Sequence, residues 1–212
     1  MTWQQHPTSE IDAFKSQPAV RGLVMKYSNL KTWKTALALT FDWAVILLFA
    51  FACSKYLGES HSLAMKVVVY LVTAVIIATR QHALLVIMHE AAHFRISKNP
   101  RLNDFLGKYF ASYPTASTLL GYRKHHTQHH RTTNTDQDPD WARKLFLPDW
   151  QYPQKPRTIA RVFSKQLYRG GWDWVFFMTK IGKEDRGRIV FWTAVFAVAA
   201  MTGPAMRCAA ME

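Results

Sequence analysis

The 212-residue chain is short of cysteine and of acid. Two cysteines, Cys53 and Cys208, make neither a disulfide framework nor a cysteine-rich zinc site. Fourteen acidic residues face 27 Lys and Arg, leaving a formal net charge of +13. That excess fits nucleic acid, an anionic membrane surface or the flanks of membrane spans, and composition does not choose among them. No internal repeat or low-complexity tract is present. The opening MTWQQHPTSEIDAFK has no apolar run of the kind a cleavable signal peptide needs. Aromatic residues are not scarce: 13 Phe, 8 Trp and 8 Tyr exclude a solvated, disordered chain. The last absence is positional, since no histidine follows His130.

The mean hydropathy of −0.12 looks soluble only because it averages unlike segments. Residues 36–54 read ALALTFDWAVILLFAFACS, an apolar run broken only by Asp42. About 20 such residues cross a hydrocarbon core of about 30 Å. Each strong apolar residue there favours insertion by about 0.3–0.6 kcal/mol, and an acid at the centre costs about 2.5–3.5 kcal/mol. Asp42 lies toward one end, so insertion wins. Asp42 either pairs inside the bundle or faces the interface.

After the polar link 55–61, Val67–Thr79 is too short to span alone. Its helix must start near Leu63 with Lys66 snorkelling, or run on through Arg80 into ALLVIM. Either version puts His89 and His93 at or just beyond one membrane face. A third apolar segment, Ile189–Met201, is marginal and meets Gly203-Pro204. Five basic residues precede the first span, whereas two lie in or near the link, which predicts a cytoplasmic N-terminal segment 1–34. Ile159, Val162, Phe163 and Leu167 have helical spacing, with Arg161, Lys165 and Arg169 for a wet face. With Trp141, Trp150, Trp172 and Trp174 nearby, this is either a helix lying on a membrane surface or one packed on a soluble domain.

The histidines carry the chemistry. His89-Glu-Ala-Ala-His93 sets two imidazoles at i and i+4 on one helical face. His126, His129 and His130 form an i, i+3, i+4 trio, with His125 one turn before His129. Imidazole suits iron, zinc or copper, and five or six on two segments exceed what one ion needs, so a two-metal centre is the natural reading. Only 32 residues separate His93 from His126. Two crossings do not fit in that length, so the intervening segment re-enters or lies on the surface and both groups share one side. Residues 89–93 also satisfy H-E-x-x-H, the pattern of a membrane zinc protease with Glu90 as general base, but that reading leaves 125–130 surplus.

HALLVIMHEAAH, NPRLNDFLG and GYRKHHTQHHRTTNTDQDPD, with their flanking spans, closely resemble the membrane-bound fatty acid desaturase family over roughly residues 35–205. The resemblance implies an all-α integral membrane protein with membrane-surface helices and a histidine cluster at the cytoplasmic face of a bacterial membrane. It implies a di-iron centre using O2, with electrons from a ferredoxin or small haem protein, to desaturate a lipid- or carrier-linked acyl chain. Relatives hydroxylate or oxidise carotenoids. By resemblance the iron ligands are His89, His93, His126, His129 and His130; His82 and His125 are ligands or hydrogen-bonding neighbours of them. The chemistry agrees, because an unactivated C–H bond yields to no side-chain acid or base and needs a metal–oxygen oxidant. Asp136, Asp138 and Asp140 either orient ligand histidines or simply build a turn at Asp138-Pro139. Asn103-Asp104 reads as a helix start before Phe105.

The family pattern adds a third histidine box after another pair of spans. Its absence here, with an atypical tail at 206–212, leads us to expect a truncated, frame-shifted or partial chain that lacks desaturase activity alone. A nucleic-acid binder is not expected, since the basic residues flank apolar spans and follow no recognition helix.

Overall fold

In the computed structural model the described residues are 13, 16–27, 29–142, 146–151, 153–179 and 186–208. The first 12 residues, the tail 209–212 and the side chains of Trp172, Trp174 and Cys208 lie outside that description. Among the described residues every regular element is helical: α1 (Pro18–Tyr27), α2 (Thr32–Gly58), α3 (Leu63–Ala92), α4 (Pro100–Leu106), α5 (Leu119–Thr132), α6 (Pro156–Thr179) and α7 (Gly187–Cys208).

Helices α2 and α3 form an antiparallel hairpin of two apolar helices, each long enough to cross a membrane. The link between them is capped at both ends. Ser62 Oγ accepts from the Met65 N–H, and Lys66 Nζ donates to the Leu57 carbonyl at 2.8 Å. Lys66 therefore spends its charge on one of the carbonyls that the end of α2 leaves without an intrahelical donor. Both sequence alternatives for the second span are realised together, since α3 starts at Leu63 and runs through Arg80 to Ala92. Thirty residues rise about 45 Å, about 15 Å more than a hydrocarbon core is thick, so the helix is long enough to cross and still project beyond it.

Along the hairpin, Leu47, Leu48, Phe51, Leu71, Val72 and Val75 are all exposed. That continuous apolar surface is of the kind a helix that could cross a membrane presents to lipid. Asp42 is buried and pairs with Arg80 across the hairpin at 3.2 Å, and Arg80 also lies over the Phe41 ring. Of its two sequence alternatives, Asp42 takes the pair.

The buried core sits at the histidine end. Leu39 of α2 meets Leu84, Met88, Ala91 and Ala92 of α3, with Ile96, Ala111 and Leu119 closing over them. The segment after α3 turns back on itself as α4, a π-helical stretch Gly107–Ser112 and a 3-10 turn Tyr113–Thr115. It packs against α3 instead of crossing, as the 32-residue spacing required. Gly107 permits this: a Cβ there would lie 2.6 Å from Ala91 Cβ and 3.0 Å from Leu119 Cδ2.

The helix start expected at Asn103-Asp104 is displaced. Helix α4 begins at Pro100, whose ring suits the first helical position. Asn99 caps it, accepting from the Arg101 and Leu102 N–H groups. Asn103 and Asp104 are thereby freed for another task.

The C-terminal helices touch this core lightly. Arg188 donates to the Ala116 carbonyl, and Trp192 Nε1 donates to the Tyr113 carbonyl at 2.9 Å. Helix α7 does not stop at Gly203-Pro204 but continues to Cys208, forgoing the one hydrogen bond that Pro204 cannot donate. Helix α6 packs on the 148–150 turn, where Lys165 meets Asp149 at 2.8 Å.

Candidate metal centre

Four imidazoles converge where α3 ends and α5 passes. His89, His93, His126 and His130 each offer a ring nitrogen within 4.8 Å of the others. Both helices contribute an i, i+4 pair, which places two rings on one stripe one turn apart. Every adjacent pair of rings lies edge-on, with centroids 4.4–5.0 Å apart. His126 is the hub, its Nε2 lying 3.0 Å from both His93 Nε2 and His130 Nε2. A ring nitrogen carries either one proton or one lone pair, so it cannot serve two such neighbours well at once. A shared cation would satisfy all three.

Electrostatics keep the cluster in its ligating form. Desolvation, then the neighbouring His130, His89 and His93 rings, push the His126 imidazole down to about 4. Burial and the rings of His89 and His130 likewise lower His93. Both are neutral near pH 7 and present lone pairs. Tyr122 stacks on His126 with centroids 4.9 Å apart, one turn earlier on α5.

His129 is brought to the edge of the cluster, not into it. Its ring centroid lies 6.0 Å from that of His126, and its Nδ1 meets Asp138 Oδ1 at 2.8 Å. Asp138 is buried, and it does both things the sequence left open. Its carboxylate accepts from the Asn134 and Asp140 N–H groups, building the turn, while holding His129. Burial opposes its ionisation, but the His129 bond and the two backbone N–H bonds outweigh that and hold it well below the usual carboxylate range. His129, Asp138 and Asp140 thereby form a second group of side chains that could hold a metal.

His125 Nε2 pairs with Asp140 at 2.8 Å and stays out of the cluster. His82 is exposed in a separate cleft with Asp42 and Arg80, since seven residues of helix carry it about 10 Å from His89. Glu90 Oε1 lies 3.1 Å from His89 Nδ1, serving that ring as an orienting carboxylate.

Sequence reasoning missed Arg123. Its guanidinium bonds the Ala91 and Ala92 carbonyls and both oxygens of Asp104, one turn before His126. The i, i+3 spacing to His126 was its only trace in the sequence. On the other side of α2, an apolar cleft of about 730 Å³ runs past Leu39, Trp43 and Leu47 to Leu106, Phe110 and Phe191.

Residues 66–210 match the fatty acid desaturase family. Among curated proteins, the dihydrorhizobitoxine desaturase of Bradyrhizobium elkanii is 27% identical over 146 residues, which cover 60% of this chain and 42% of that protein. The chain therefore spans less than half the length of that relative. No solved structure matches it.

Proposed function

The chain belongs to the fatty acid desaturase family, and from that premise we propose that it carries the iron-binding histidines of an O2-consuming oxidoreductase that inserts a double bond into an acyl chain, and that it does not complete that reaction alone. His89, His93, His126 and His130 hold iron, and His129 joins them as the ligand toward a second ion. Bound iron supplies the oxidant that an unactivated C–H bond requires. The single observation that carries this reading is the convergence of His93 and His130 on His126, each Nε2 lying 3.0 Å from the His126 Nε2.

The reaction balances as follows. O2 takes up four electrons and four protons and leaves as two waters. Two electrons and two protons come from adjacent methylene groups. The other two electrons come from a ferredoxin or small haem protein, and the remaining protons from solvent. The residues present bind, orient and insulate. Asp138 and Glu90 fix ring orientations, and Tyr122 covers His126 on one face. The apolar cleft between α2 and residues 106–110 lodges the chain of a membrane lipid or carrier-linked acyl group. The histidine end faces the cytoplasm, on the side of the basic N-terminal segment.

The test is metal content and product together. Purified from membranes, the protein should contain iron, and His126→Ala should lose essentially all of it. With O2 and reduced ferredoxin, the chain alone should leave acyl lipid without a new double bond by mass spectrometry. Dihydrorhizobitoxine belongs beside the lipid as a second substrate, because the relative's name attaches its desaturation to that compound. Zinc in place of iron, or full iron retention by His126→Ala, would sink the reading.

A further inference from the structure

We propose that Arg123 is the positioning residue of the metal centre, a single guanidinium that locks the two histidine-bearing helix ends in register. This rests on the reading that the cluster holds a metal. The geometry is complete around one side chain. Helix α3 ends between the two histidines of its pair, where its last carbonyls lack i+4 donors; Ala91 accepts the Phe94 N–H at 3.1 Å instead. Two of them, at Ala91 and Ala92, are in the buried core. Arg123 reaches across from α5 to bond both, Nη2 donating to Ala91 at 2.9 Å and Nε to Ala92 at 3.1 Å. A cation at a helix C-terminus also complements the helix dipole.

The same fork holds α4. Nη2 and Nη1 donate to the two oxygens of Asp104 at 2.6 and 3.3 Å, the bidentate pairing that only arginine makes. Asn103 completes the joint, its Nδ2 donating to the Ala91 carbonyl at 2.9 Å and to Asp104 at 3.1 Å. Phe94 covers the guanidinium with its ring centre 4.0 Å away. Phe94 holds φ at 56°, a left-handed conformation costly for an aromatic residue, and so its seat on Arg123 has something to offset.

Three helices therefore meet at one group, and the histidines are its nearest dependants. Arg123 lies three residues before His126, and its carbonyl partners directly precede His93. Ligand rings must be held to about 0.5 Å for productive coordination, and both lever arms here are a turn or less. Loss of the fork frees α5 to slide against α3 and separates His126 from His93 without altering either ring.

The experiment titrates Co2+ into detergent-purified, metal-free protein against a competing chelator, with thermal unfolding of the same samples. Arg123→Ala should weaken affinity about ten- to hundred-fold, the range for groups that orient metal ligands. Arg123→Lys keeps the charge without the fork and should fall between Ala and wild type, which keeps the test alive if Ala does not fold. Asp42→Ala is the control for stability alone, because it breaks the Arg80 pair about 13 Å along α3 from His89. It should lower the unfolding temperature and leave affinity unchanged. Wild-type affinity in folded Arg123→Lys and Arg123→Ala, or an equal loss in Asp42→Ala, would overturn the clamp while leaving the metal centre standing. No binding by wild type would overturn both.

Discussion

The histidine end and the C-terminal helices are built on opposite terms. At the histidine end, α3, α4 and α5 share a buried core, a three-helix arginine joint and carboxylates aimed at ring nitrogens. In α6, Ile159, Phe163 and Leu167 are 52, 69 and 76% exposed, and its ion pair to Asp149 lies near the surface. One region is held by the protein's own atoms; the other needs something outside the protein to cover it. The contrast suits a site that demands fixed geometry beside a segment whose apolar stripe is left exposed.

The sharpest way to break this comparison is to crowd the fixed end. Gly107→Val places methyl groups where even a Cβ would stand 2.6 Å from Ala91. Neither backbone can retreat without parting α3 from the re-entrant segment, so the expected loss is about 1–3 kcal/mol or more, typical of overpacking. Gly170 has nothing within 4 Å, and Gly170→Ala should be neutral or slightly stabilising in the interior of α6. Thermal unfolding of the two variants checks this. Equal losses would show that the histidine end is no tighter than the rest.

Acid should separate the regions next. The His126 imidazole is held at about 4 when folded against an ordinary 6.5. Between those values the unfolded chain binds a proton that the folded chain refuses, so stability rises with pH across the window. Lowering pH from about 6.5 to 4 should therefore loosen the metal-free histidine end and release bound metal. Asp104 adds a later step. Burial raises it, but Arg123 and Asn103 outweigh that and leave it lowered. Its contribution is present above 3.8 and is lost as pH falls through its folded value. Hydrogen exchange resolved by segment should show protection lost in α3–α5 across the first window, with α6 unmoved. Uniform loss would contradict the division.

What the sequence showed follows the same line. The spans and histidine pairs were legible because length and helical period are local properties. Re-entry of 94–118 was legible because two crossings cannot fit. Which histidines would meet was half legible: the two i, i+4 pairs enter the cluster, while His129, at i+3 from His126, is turned toward Asp138. Arg123 was not legible, because two of its partners are backbone carbonyls that no side-chain pattern displays. Asn103 and Asp104 misled for a related reason. Both residues favour helix starts, but Asn99-Pro100 had already supplied one, and the core used them instead.

The smallest expected effect tests the exposed region directly. If lipid covers the α6 face, the protein interior gains nothing from Phe163, which is 69% exposed. Phe163→Ser should leave unfolding temperature and metal content within the range of ordinary surface changes, about 0.5 kcal/mol. The membrane should notice what the fold does not. A nitroxide on Phe163→Cys, in vesicles containing anionic lipid, should be relaxed by O2 more than by a water-soluble nickel complex, because an in-plane helix buries its apolar face about 5–10 Å below the headgroups. A label at Arg161→Cys, on the basic face, should show the reverse. Nickel dominance at both positions would place α6 in water and leave its apolar stripe for a protein partner, and the two regions would then differ in partner and not in kind.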